Sequence, residues 1–173
     1  MSEPLIIKEN PRDPVMNADE GARAEARGLL ETGHAALAWT DPDNGTPGIS
    51  RITFAIDPVE GPLCLISELA PHTRALRTNG ACAMMVGDVG PKGDPMTHAR
   101  LMVRAQAEFL PADHPGRAEL RARWLERNPK ATVYIDLPDF HFVRIIPQTA
   151  LLNGGFARAF RLTSDDLIAM MKV

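Results

Sequence analysis

The sequence predicts an α+β fold, a β-barrel core with helices at its periphery. Two observations carry this. Short apolar or alternating runs follow one another with turn residues between them, the pattern of an antiparallel barrel or sandwich. Two other stretches, 19–31 and 113–127, repeat their apolar residues at helical spacing instead. At 173 residues the chain makes one domain with a core of its own, and its 45% hydrophobic and 24% charged shares are those of an ordinary soluble protein. A net charge of -3 lacks the basic excess of a nucleic-acid binder. No apolar run approaches the roughly 20 residues of a membrane helix, so neither partner is expected. The start, MSEPLIIKENPRD, has no basic segment leading into an apolar one, which makes the cytoplasm the expected location.

Taken in order, residues 1–18 contain three prolines and no periodicity and read as an extended or mobile arm; 19–173 read as the single domain. Asp19 to Glu31 is a helix with Ala22, Ala26, Leu29 and Leu30 on one side and Gly33 at its end. His34 to Thr40 is the first strand, and Asp41 to Gly45 a hairpin loop. Gly48 to Asp57 alternates, with Ile49, Arg51, Thr53 and Ala55 on one face and Ser50, Ile52, Phe54 and Ile56 on the other. Leu63 to Ile66 is a buried strand and Cys82 to Gly87 another. The clearest period follows: Ala99, Leu101, Val103, Ala105, Ala107 and Phe109 alternate with His98, Arg100, Met102, Arg104, Gln106 and Glu108, and the first set faces into a barrel. Asp113 to Arg127 returns to helix, with Leu120, Trp124 and Leu125 on one face, and a second short helix starts near Pro129. Asp139 to Leu152 is the last strand, its Pro147 marking an edge or a bulge. Ser164 caps a final helix through Met171. The two cysteines, Cys64 and Cys82, lie in apolar runs and read as buried thiols. The five histidines form no metal-binding spacing, so no metal site is expected.

The stretch from Leu63 to Ala83 carries the most chemistry. A strand ends at Ser67, and Pro71 fits the first position of a helix that Asn79-Gly80 stops. Leu69, Leu76 and the Ala70/Ala75 pair give it something to bury. Free backbone N–H groups at the helix start, two hydroxyls (Ser67 and Thr73) and the Arg74 guanidinium together make a phosphate cradle. A capped connector helix accounts for the same residues.

Ser67-Glu-Leu-Ala-Pro-His-Thr-Arg-Ala-Leu76 resembles the S-x-L-A-x-H-T-x-x-L signature of the haem-utilisation (HugZ-type) branch of the pyridoxamine-phosphate-oxidase-like family. The similarity runs from about Ala22 to Leu167. It implies a six-stranded antiparallel split β-barrel, the FMN-binding split barrel, with peripheral helices. It also implies an FMN-dependent oxidoreductase acting as a homodimer on a small molecule, with flavin at the interface. By the same resemblance Arg51, Ser67, Thr73 and Arg74 would hold the FMN phosphate, and His72 would lie beside it. The backbone of Arg51, Ile52 and Thr53 would run along the flavin ring, and Arg100 would reach it across the interface. Solvated surface charge is the other account of the arginines, and a cross-strand charge pair that of Arg100. No general acid or base stands out, so the catalytic residues and the substrate stay unassigned.

Two departures bear on this. The tail GGFARAFRLTSDDLIAMMKV has no histidine after His141 and lacks the Arg-His segment of the pyridoxamine-phosphate oxidases themselves. Ala75 also stands where relatives often have Asn. Two other functions therefore compete with the flavin oxidoreductase: a haem-binding or haem-utilisation protein using the same cleft, and a regulatory module without cofactor. With no histidine in a C-terminal segment able to fold over a macrocycle, the expectation ranks FMN above haem.

Overall fold

Six antiparallel strands close on themselves in this computed structural model, which describes residues 14–171. The described elements are β1 (Met16–Asn17), α1 (Glu20–Leu30), β2 (His34–Thr40), β3 (Pro47–Asp57), β4 (Gly61–Ser67), α2 (Pro71–Thr78), β5 (Ala81–Val86), β6 (Arg100–Phe109), α3 (Arg117–Arg127), β7 (Phe140–Asn153), β8 (Ala159–Leu162) and α4 (Ser164–Met171). The strands run β7-β4-β3-β2-β5-β6, and a β6–β7 ladder shuts the barrel; β8 and then β1 extend the sheet beyond β7. This is the six-stranded antiparallel barrel with peripheral helices that the resemblance implied.

Alternation places the core as expected. Ile52 and Phe54 of β3 and Leu101, Val103 and Ala105 of β6 are buried, while Ile49 and Arg51 face out. The barrel core continues into Ala22, Ala26 and Leu30 of α1 and Leu167, Met170 and Met171 of α4. A second cluster, built on Leu63, Leu65, Trp124 and Phe142, fills the space under α3. Both cysteines are free; burial pushes the Cys64 thiol far up and the Cys82 thiol to about 11, so neither is a thiolate at neutral pH.

Several expectations change in detail. Most of the 1–18 arm lies outside the described residues, but Met16–Asn17 pair in parallel with Phe160–Arg161. Leu69 is 88% exposed, so it contributes nothing to the burial of α2, which rests on Ala75, Leu76 and the His72–Thr73 pair. The region after Pro129 is a five-residue 3-10 turn, Pro129–Val133. β7 is no edge: it pairs with β4, β6 and β8. Its Pro147 marks a bulge, because Arg104 faces Thr149 and Ala105 faces Pro147, leaving Gln148 without an opposite number. A proline can sit in a central strand there because the ladder is already interrupted. At α4 the cap is Thr163, whose backbone N–H and hydroxyl both donate to Asp166 Oδ2 while Asp166 N donates back to Thr163 Oγ1.

Candidate cofactor-binding site

The end of β4 and the start of α2 are stitched together by the two hydroxyls expected to hold a phosphate. Ser67 Oγ donates to Asp139 Oδ2 at 2.7 Å and accepts from Leu69 N at 3.1 Å. Thr73, fully buried, donates to the Ser67 carbonyl at 2.6 Å. A hydroxyl has one proton to give, and both are given inside the protein. This arrangement locks the strand-to-helix turn. Arg74 is exposed and forms a two-pronged pair with Asp43 of the β2–β3 loop at 2.7 and 2.6 Å. The guanidinium holds the Asp43 carboxyl below its usual range. The Asp43 pair uses two of the five N–H donors of the guanidinium. Arg100 donates to the carbonyls of Met96 and His98, closing its own loop. Ile52 points into the barrel at 5% exposure, so only its backbone is available outside.

Arg51 and Thr53 are on the outside of the barrel, and strand register shows what surrounds them. Residues directly opposite one another share a face. One row therefore runs across six strands: Arg51, Ala36, Met85, Met102, Leu151 and Arg161. The adjacent row is Ile49, Ala38, Ala83, Arg104 and Thr149, and on the other side His34 lies opposite Thr53. The centre of this face is alanine and methionine; its flanks are arginine. Met85 is 46% and Ile49 76% exposed, and neither Arg51 nor Arg104 has an ion-pair partner among the described residues. From β3 to β6 the face is about 14 Å wide at the usual strand spacing. Sequence reading assigned Arg51 and Met102 to it but missed Ala36, Ala38, Ala83 and Met85. The signal was there in HAALAWT, where two outward positions, Ala36 and Ala38, carry small apolar residues.

Histidine chemistry divides cleanly. His34 bonds Thr32 O and Asp88; His98 accepts from Gly90 N and contacts Lys92 O; His114 pairs with Glu60 and His141 with Glu68. His72 makes no hydrogen bond to the described residues, and burial lowers its pKa, leaving a neutral imidazole at neutral pH. Of the five, His34 is the one that register puts on the outer face. No cluster of three or more His, Cys, Asp or Glu side chains is arranged for a metal ion among the described residues. No described helix is long and apolar enough to cross a membrane.

The barrel with this outward face defines a split-barrel protein. Solved split barrels agree in fold, among them a putative pyridoxamine 5'-phosphate oxidase from Listeria innocua (17% identical, TM-score 0.59, 77% of this chain and 98% of that one). No family model matches the chain. Curated relatives do: the heme oxygenase HutZ of Vibrio cholerae is 30% identical over 134 residues, covering 76% of this chain and 75% of HutZ. The non-canonical heme oxygenase HOZ of Arabidopsis thaliana chloroplasts is 30% identical over 116 residues, 67% of this chain. The chain spans about a third of HOZ's length, 34%. The structure of a heme binding protein from Mycobacterium smegmatis superposes with a TM-score of 0.76 at 26% identity, over 88% of this chain and 62% of that one. The chain belongs to the haem-utilisation branch of the pyridoxamine-phosphate-oxidase-like family.

Proposed function

We propose that this protein binds haem on the outer face of β3, β2, β5 and β6, where two copies meet in a homodimer, and that it serves haem utilisation. The observation that carries this is the 30% identity shared with HutZ over three-quarters of that protein. It reverses the order expected from the tail, which placed FMN first. The face suits the ligand chemically. A flat macrocycle with two carboxylates needs an apolar plate with cations at its margin. Ala36, Ala38, Ala83, Met85 and Met102 supply the plate; Arg51 and Arg104 supply the cations. His34 is the histidine on that face, and it would ligate iron by giving up its Nδ1 contact with Thr32 O while Asp88 orients the ring through Nε2. Bound haem would supply the redox-active iron; the chain's own part is to hold the propionates, exclude water with a second copy, and orient the ring through His34. FMN is the second reading, supported by the fold and by unpaired Arg51. The internal use of the Ser67 and Thr73 hydroxyls weighs against it.

Titrating haemin and FMN separately into the purified protein tests this by absorption. A saturable Soret band is expected, together with weak FMN uptake. Arg51→Ala and Arg104→Ala should each weaken haemin about tenfold, the worth of one charge-assisted hydrogen bond, and His34→Ala should shift the Soret band. Stoichiometric flavin retention without a Soret band would overturn the proposal in favour of FMN. Light scattering at micromolar concentration should report a dimer.

A further inference from the structure

A cavity lies away from that face. It has a volume of about 460 Å³, within the range of small-molecule sites, and opens where the C-terminal ends of α1, α3 and α4 converge on the end of β3. None of the eight residues expected to bind cofactor lines it. Its apolar lining includes Leu30, Phe54, Met170 and Met171, all buried. Two arginines, Arg27 and Arg127, share in the lining. Arg127 is anchored by a 2.5 Å bond from Nη1 to the Ile56 carbonyl; Arg27 has no hydrogen bond or ion pair among the described residues. Glu31 adds one negative charge to the lining. A smaller cavity of about 90 Å³ shares Ala55, Ile56 and Arg127 with it and is walled by Trp124. The Trp124 indole N–H is the buried side-chain donor without an acceptor among the described residues, an arrangement that costs stability unless something accepts.

We infer that this cavity is a second, independent site for a small amphipathic carboxylate, its hydrocarbon on the methionine and leucine floor and its anion on Arg27 and Arg127. Neither half of the lining alone selects such a molecule. A neutral hydrocarbon leaves Arg27 unanswered, and a small inorganic anion leaves the apolar floor wet. Arg27 is exposed, so the acid group stays on the solvent side while the chain goes in.

Octanoate serves as the probe, with octanol as its uncharged counterpart, in a titration read by the methionine methyl signals of ¹³C-methyl-labelled protein. Octanoate should move the Met170 and Met171 signals and leave those of Met85 and Met102 in place. Arg27→Gln, a change on an exposed helix surface, should weaken octanoate about tenfold and leave octanol unaltered. Haemin uptake should be the same with and without octanoate, so this inference and the haem reading fail separately. Equal affinity for octanoate and octanol would overturn it, as would shifts at Met85 and Met102 instead. Binding that appears only in a chain ended at Met171 would also overturn it, by assigning the cavity to Lys172 and Val173. If Arg127→Gln, but not Arg27→Gln, removed binding, the anion position would be wrong.

Discussion

Asp57 ends β3 at 5% exposure, and its ionisation is decided by neighbours a few ångströms away. Burial pushes its carboxyl up. Two bonds from Arg123, at 2.7 and 3.0 Å, and the backbone N–H groups of Glu60 and Val59 outweigh burial and hold it below 3.8. A carboxyl lowered in the folded state adds stability that is complete above its unfolded value near 4 and is lost as pH falls through the folded value. Arg123→Ala should therefore cost about 2–3 kcal/mol at pH 7, with the two backbone bonds limiting the damage. The cost should shrink as pH falls through the lowered folded value of Asp57, because protonation removes the charge that Arg123 pairs with; urea melts at pH 7 and along that descent check this. At this same scale the sequence told least about the site. It named Ser67, Thr73 and Arg74 by type and spacing, and all three are where the motif put them. What it could not carry was Asp139 and Asp43, distant in the chain by 72 and 31 residues, which engage Ser67 and Arg74. Partners that distant are set by the closing of the barrel, and local pattern does not contain them.

Elements were more legible than partners, because each is written in local periodicity. The alternation of 99–109 gave β6 and its inward face; the helical spacing of 19–31 gave α1, and the structure adds its N-cap, Asp19, which accepts from Ala22 N at 2.7 Å. β8 went unseen, since Ala159–Leu162 is only four residues long and takes its strand conformation from pairing with β7. Thr163 went unseen as a cap because Ser164 beside it has the same capping chemistry. Only the reciprocal bonds with Asp166 separate the two. Arg23 also bonds Asp166 at 2.7 Å, so this cap ties α4 to α1 as well. Thr163→Ala should cost about 1 kcal/mol, and Ser164→Ala much less. Both are read as shifts of the urea midpoint with unchanged slope.

At the scale of the whole molecule, α1 and α4 pack into the barrel core and α3 covers the second cluster, while the sheet from β3 to β6 presents its alanine and methionine rows outward. The proposed dimer predicts that Ala38→Glu, at the middle of that face, yields a folded monomer with haemin affinity at least tenfold weaker; light scattering and circular dichroism together report it. The closing strand has a further consequence, for the order in which this protein can come into being. β7 starts at Phe140 and is the partner of both β4 and β6, so until it is synthesised two strands of the incomplete barrel have bare edges. Everything before it can collapse through β2 to β6, since those strands pair with near neighbours in the sequence. The last fifth of the chain then decides between a shut barrel and a sheet that offers two open sides to any other nascent copy. Synthesis that stalls just short of Phe140 leaves this protein at its most adhesive, and the bulge at Pro147 lies in the strand that ends that exposure.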